Sequence, residues 1–440
     1  MSENLDTIYA LSSGAGRAAI SVIRVSGAHV RNLLYQLVGD VPRPRNAVYR
    51  EIRHAQSGEI IDSGIILFFP GPASFNGEDI CEFHIHGSNA VIRRLLMVLS
   101  EMPGLRLAEP GEFSRRALYN GKMDLTQIEG LADLIEAETE FQRRNAQSHS
   151  RGMLAEFTAN SRLEVLSLLA LVEAQIDFSD ESDVPESLAL ELRQRADALL
   201  GQIQRLIGTS GAGERLRNGW RVVIAGPVNS GKSALFNALC GRDAAIVSPF
   251  AGTTRDVNRA YLDFGGLPVV LMDVAGIRGT DDPIESIGIE RAMAEIGNAD
   301  LVIWAQAVGE AAVEPPAHER LVTITTKADL LDPDARRECV HICVSAVSDP
   351  GTDGLVNYIR ARGVAEFGAA EDILISHERQ RLALAGAAAG LARFEQSLVR
   401  GLEFAAADLR EAAMGLERLA GRIDVEEVLG QIFARFCIGK

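Results

Sequence analysis

Hydrophobic and polar positions alternate first with the period of a strand and then with the period of a helix. Ala19-Ile20-Ser21-Val22-Ile23-Arg24-Val25 and Gly64-Ile65-Ile66-Leu67-Phe68-Phe69-Pro70 read as strands, and Ile80-Cys81-Glu82-Phe83-His84-Ile85-His86 alternates with period two. Helix-like segments such as Asn89 to Leu99 lie between them. Past the turn signal Glu109-Pro110-Gly111-Glu112-Phe113, apolar residues recur at Ile128, Leu131, Ala132 and Ile135, the spacing of one helix face. The same period runs through Val165 to Ile176 and Leu188 to Ile207, the arms of a helical bundle. Acidic turn residues from Asp177 to Asp183 interrupt it, and Pro185 restarts it. Gly208-Thr209-Ser210-Gly211-Ala212-Gly213 predicts a flexible boundary. An α/β pattern follows from Trp220 to about Val364, and long helices return over Glu378 to Leu402 and Ala405 to Leu419.

The α/β stretch holds the chain's most specific chemistry. Gly226-Pro227-Val228-Asn229-Ser230-Gly231-Lys232-Ser233 lies between an apolar strand, Val222 to Ala225, and a helix-like run. A G-x-x-x-x-G-K-[ST] in that setting is a P-loop, whose amides and helix N-terminus, through Ala234, face a polyphosphate. Lys232 then reaches the β and γ phosphates and Ser233 ligates Mg²⁺. Asp273-Val274-Ala275-Gly276 ends the strand-like Val269 to Met272, placing Asp273 near the metal and the Gly276 amide near the γ-phosphate. Thr326-Lys327-Ala328-Asp329 follows another strand, and a carboxylate there accepts two N–H groups of guanine that adenine lacks. Ser345-Ala346 closes the base pocket. Gly252-Thr253-Thr254-Arg255-Asp256 has the place of a loop ordered by the γ-phosphate. Four such elements in order imply a GTPase.

Two positions depart from the common pattern. Guanine motifs usually begin with Asn, and here Thr326 stands in its place. Ile277 follows Gly276 where Ras-like GTPases carry a water-orienting Gln. Isoleucine cannot position water, so Glu285 becomes a candidate general base, set against a solvated carboxylate in a first helical turn. The fold class expected is multidomain α/β: an N-terminal α+β domain, a discontinuous helical bundle, and an inserted Ras-like P-loop GTPase domain. The expected boundaries are 1–118, 119–215, 216–364 and 365–440.

Composition narrows the setting. The chain has 440 residues, enough for about three domains, with 44 Lys+Arg against 60 Asp+Glu and a net charge of -16. That balance disfavours sequence-independent wrapping of nucleic acid, while a local basic patch is compatible with it. No membrane span or signal peptide is indicated, so a cytoplasmic location is expected. Cys81, Cys240, Cys339, Cys343 and Cys437 are scattered, against a disulfide framework. Cys339 and Cys343 read as packed thiols beside a short strand. His84 and His86 are a weak metal signal without a third ligand. Arg24 and Glu82 sit inside strand patterns, either at solvent-facing edges or at a ligand site.

Taken together, these residues resemble the MnmE (TrmE) family of tRNA-modifying GTPases. The likeness covers DTIYAL, IRVSG, FNGEDICEFHIHG, EPGEFSRRALYNGKMDLTQIEGLADLI, AGTTRDV, DVAGIR and the terminal FCIGK. It implies an N-terminal dimerisation domain that binds 5-formyl- or methylene-tetrahydrofolate, with Arg24, Glu82, Lys122 and Lys440 at folate-contacting positions. It implies K⁺ held by Asn229, Ser248, Phe250 and Thr253, Mg²⁺ held by Ser233 and Thr254, and Glu285 as the catalytic carboxylate. Cys437 matches a family cysteine, catalytic or structural. The activity implied is GTP-driven modification of the tRNA wobble uridine at carbon 5 by a homodimer, with the flavoprotein MnmG as partner. A non-catalytic GTP switch is the rival class.

Overall fold

The computed structural model describes residues 6–14, 16–177, 186–241, 258–274, 283–348, 351–368, 372–423 and 439; for residues 186, 258 and 283–289 it describes the backbone path alone. The chain divides into two compact units, Met1–Ala132 with Leu416–Lys440, and Asp133–Gly415.

In the first unit, β1 (Thr7–Leu11), β2 (Ile20–Ser26), β3 (Val48–Arg53), β4 (Ile60–Phe69), β5 (Ile80–His86) and β6 (Leu105–Leu107) form a sheet of order β3-β4-β5-β2-β1-β6. Only β1 and β6 pair in parallel. Period-two alternation sends Cys81, Phe83 and Ile85 of β5 into the core with Ile23 and Val25 of β2. The helices Val30–Val38 and Asn89–Ser100 cover that face with Leu33, Leu34, Leu95 and Leu99. The opposite face carries Arg24 and Glu82, which stand directly across from each other on interior strands.

A buried ionic cluster closes this unit. Glu112 is fully buried, accepts from Arg106 Nη2 at 2.5 Å and Nη1 at 2.8 Å, and accepts from Arg116 Nη2 at 3.0 Å. Arg116 also reaches Asp6 Oδ1 at 2.9 Å and Glu78 Oε1 at 3.1 Å. Burial pushes the Glu112 carboxyl up, but Arg106, the Glu109 N–H and Arg116 hold it down at about 2.

In the second unit, β7 (Trp220–Ala225), β8 (Asn258–Asp263), β9 (Pro268–Asp273), β10 (Leu301–Ala307), β11 (Leu321–Thr326) and β12 (Ile342–Cys343) form a sheet of order β12-β11-β10-β7-β9-β8. All pairs but β8–β9 are parallel. Strands buried on both faces read as continuous apolar runs, as Val222 to Ala225 and Leu301 to Ala305 do. Parallel pairing brings the carboxyl ends of β7, β9 and β11 to one edge, where ligands bind in such sheets.

Helices occupy both chain segments flanking this sheet. Glu186–Asn218 packs along Glu378–Arg400, and Glu140–Ser150 is started by a Thr139–Gln142 capping box. The structure corrects the boundary expected at Gly208 to Gly213: those residues lie inside the helix Glu186–Asn218. Gly213 is small because the chain passes close by, and a Cβ there would collide with the Ile375 carbonyl. The break comes instead at Gly219, with φ of 89°.

Candidate functional site

The P-loop follows β7 and leads into the helix Lys232–Cys240. Its turn needs two left-handed residues, Asn229 at φ 65° and Gly231 at φ 83°. Gly226 leaves no room for a side chain, because a Cβ would strike the Ala305 carbonyl. Amides of the first helical turn, from Lys232 to Ala234, have no acceptor within the helix and point toward the loop. Ser233, Ala234 and Asn229 are exposed there, whereas Ser230 and Lys232 are buried. Lys232 Nζ donates to the Pro227 carbonyl at 2.7 Å. Burial pushes its ammonium down from the usual range, opposed by the negative charges of Asp273 and Glu310.

Asp273 ends β9 opposite Ile224 of β7, and so beside the P-loop. Its Oδ1 is buried and has no hydrogen-bond partner among the described residues. A buried carboxylate oxygen next to a phosphate cradle, with the exposed Ser233 hydroxyl at the helix start, suits a hard divalent cation and its water shell. The donor set therefore fits Mg²⁺.

The third part of the edge is the end of β11. Thr326 is buried, and its Oγ1 donates to the Ser230 carbonyl at 2.6 Å. Lys327 takes a left-handed conformation at φ 56° and its Nζ lies 3.3 Å from Glu310 Oε1. Asp329, in the short helical turn Ala328–Leu330, accepts from Ser345 Oγ at 2.6 Å. The Val347 and Ser348 amides donate to that same hydroxyl at 3.3 and 3.2 Å. Ala346 is exposed beside it. The structure thus gathers Asn229 to Ala234, Asp273, Thr326, Lys327, Asp329, Ser345 and Ala346 around one sheet edge. Sequence reasoning missed Glu310, which pairs with Lys327 from the loop after β10; a single acidic residue in a loop gave no signal.

Ser248, Phe250, Thr253, Thr254, Gly276, Cys437 and Lys440 lie outside the described residues. Glu285 falls in the first turn of the helix Pro283–Gly297, with its side chain outside the described residues.

In the first unit, Arg24 and Glu82 pair at 2.8 Å, shielded to 22% and 16% side-chain exposure. The rings of Phe75 and Phe113 each lie 5.8 Å from the Arg24 guanidinium carbon. The stem of exposed Lys122 packs over Gly77, two residues past Phe75. Ser12 Oγ donates to the Gly439 carbonyl at 2.8 Å, which seats the residue before Lys440 at the end of β1, next to β2. A partly covered cation and carboxylate beside the exposed Phe75 ring suit a flat, polar heterocycle bearing an acidic tail. His84 pairs with Glu82 and His86 with Asp62, and the described residues contain no group of three metal-binding side chains.

Residues 125–437 match the model of the MnmE helical domain, and residues 7–122 match that of the GTP-binding protein TrmE N-terminus. The tRNA modification GTPase MnmE of Bradyrhizobium sp. (strain ORS 278) is 46% identical over 440 residues, covering 99% of both chains. The chain belongs to the MnmE family. MnmE proteins of Rhodopseudomonas palustris and Parvibaculum lavamentivorans are each 45% identical, over 99% of this chain and 99% and 100% of theirs. As an MnmE-family member the chain is a GTPase of tRNA modification. Among solved structures, the G domain of T. maritima FeoB aligns at 22% identity over 33% of this chain and 98% of that one, with a TM-score of 0.24. At that score the likeness adds nothing to the sheet order.

Proposed function

We propose that this GTPase drives modification of the tRNA wobble uridine at carbon 5, with a folate-borne one-carbon unit and MnmG as the flavin-bearing partner. Domains at 1–118, 119–215, 216–364 and 365–440 divide the work, with the GTPase domain inserted in the helical one and the whole acting as a cytoplasmic homodimer. Asn229 to Ala234 cradle the phosphates, Asp329 with Ser345 and Ala346 reads guanine, and Lys327 borders the base. Ser233 and Thr254 would hold Mg²⁺, a reading supported by the Asp273 oxygen that has no partner among the described residues. Gly276 donates to the γ-phosphate. Asn229, Ser248, Phe250 and Thr253 would hold K⁺, which when bound would supply positive charge near the phosphates. Glu285 positions or deprotonates water because Ile277 cannot.

For the one-carbon donor, Arg24, Glu82, Lys122 and Lys440 bind and orient the folate, which when bound supplies the carbon unit. The observation that carries the whole reading is the joining of the P-loop to the base-recognition turn through Thr326 and Ser230 at an edge that also holds Asp273.

Steady-state GTP hydrolysis of the full chain in potassium and in sodium, beside Glu285→Ala and Asn229→Ala, tests it. Hydrolysis should rise in potassium, lose that rise in Asn229→Ala, and fall at least a hundredfold in Glu285→Ala with nucleotide still bound. Equal rates under all conditions would remove the cation and carboxylate roles and favour a binding switch.

A further inference from the structure

Cys339 and Cys343 take no part in the reading above, yet they border its base pocket. Both are free thiols and half-buried, Cys339 at the end of the helix Pro333–Glu338 and Cys343 in β12. Thr325 Oγ1 lies 3.4 Å from Cys339 Sγ. Cys343 stands directly across the β11–β12 ladder from Thr325, so both cysteines meet at that one residue. A hydroxyl able to donate to that sulfur favours its thiolate.

The two thiols are electrically unlike. Burial pushes Cys339 up, but the donors from Thr325, Cys343 and His341 bring it below the usual thiol range. Burial and the neighbouring Cys339 push Cys343 up to about 11. A low thiol poised beside a second cysteine is the arrangement of an oxidation-sensing thiol and its resolving partner.

We propose that Cys339 and Cys343 form a peroxide-oxidisable dithiol whose disulfide disengages β12 from the guanine pocket. The Cys339 thiolate attacks a hydroperoxide oxygen, the O–O bond breaks, and a sulfenic acid and an alkoxide or hydroxide result. Cys343 gives its proton to that base, and its sulfur attacks the sulfenic sulfur. Hydroxide leaves and is protonated by solvent. The two sulfurs lose two electrons and the peroxide takes both.

The structural cost falls on the base pocket. A disulfide brings the sulfurs to about 2 Å, closer than any hydrogen-bonded pair of thiols. It takes Cys339 from Thr325, the neighbour of Thr326, and draws Cys343 along β11. The next residue, Val344, donates to the Thr325 carbonyl at 2.8 Å and accepts from the Ala328 amide at 3.1 Å. Ser345, one further on, holds Asp329. A displaced β12 therefore misplaces the carboxylate that reads guanine. This consequence rests on the guanine-pocket reading of Asp329 and Ser345.

The test uses the full reduced chain, treated with hydrogen peroxide and then titrated with a fluorescent GDP analogue. Peptide mass mapping should find Cys339 joined to Cys343, with a Kd about tenfold higher that dithiothreitol restores, the worth of roughly one lost hydrogen bond. Cys339→Ser should keep its affinity under peroxide, and Cys343→Ser should stop at a sulfenic acid that dimedone labels. No cross-link, or a cross-link with unchanged Kd, overturns the proposal. A reduced chain that binds ADP as tightly as GDP would instead overturn the pocket reading, leaving the cross-link to be scored separately.

Discussion

Thr326 Oγ1 donates to the Ser230 carbonyl at 2.6 Å, so the end of β11 is pinned to the P-loop. Asparagine usually begins this motif, and a threonine has one donor in its place. Geometry makes that donor sufficient: both residues are buried, and the bond spans the gap between β7 and β11 at their carboxyl ends. Thr326→Val keeps the shape and leaves the Ser230 carbonyl unpaired, at a cost of about 1–3 kcal/mol. Guanine nucleotide Kd should rise roughly tenfold or more, measured by titration calorimetry. An unchanged Kd would make the bond structural only.

Gly213 and Gly208 share one helix but not one environment. A Cβ at Gly213 would meet the Ile375 carbonyl, whereas Gly208 has nothing within 4 Å. Gly213→Ala should destabilise the chain by about 1–3 kcal/mol or more through overpacking. Gly208→Ala should leave stability unchanged or raise it by up to about 1 kcal/mol, the helix propensity difference. Denaturant unfolding of the two variants in parallel checks the contrast.

Glu112 makes the first unit sensitive to acid. Its folded carboxyl titrates at about 2, below the unfolded value of 4.5, so the ionised form is the one folding favours. The stability it contributes is complete above about pH 4.5 and is lost as pH falls toward about 2. The shift corresponds to about 3 kcal/mol at neutral pH. Glu112→Gln should therefore be well below the parent in stability at pH 7 and approach it only as pH falls to about 2. A gap between the two that did not change with pH would show that the loss is one of packing alone.

Arg24 pairs with Glu82 and lies 5.8 Å from the Phe75 ring, where a guanidinium contributes both charge and a flat surface. Arg24→Gln should weaken 5-formyl-tetrahydrofolate binding by at least tenfold with GTP hydrolysis unaltered. Equilibrium dialysis on the folded variant measures it, and binding equal to that of the parent would remove Arg24 from the folate site.

Local chemistry made much of the nucleotide edge legible before any coordinates. Gly226, Gly231 and Lys232 have spacing that few folds use otherwise, and runs such as Val222 to Ala225 mark doubly covered parallel strands whatever surrounds them. Gly208 to Gly213 misled because glycine signals either a turn or a close approach of another segment, and only the position of Ile375 decides between them. The sequence by itself determined the periods, the order of the elements and the residue types of the P-loop. Tertiary structure alone decided the pairing of Arg24 with Glu82, the burial of Glu112 between two arginines, the bond from Thr326 to Ser230, and the meeting of Cys339 with Thr325. Those contacts form between segments joined only by the fold, and their strength comes from exclusion of water, which no local pattern records.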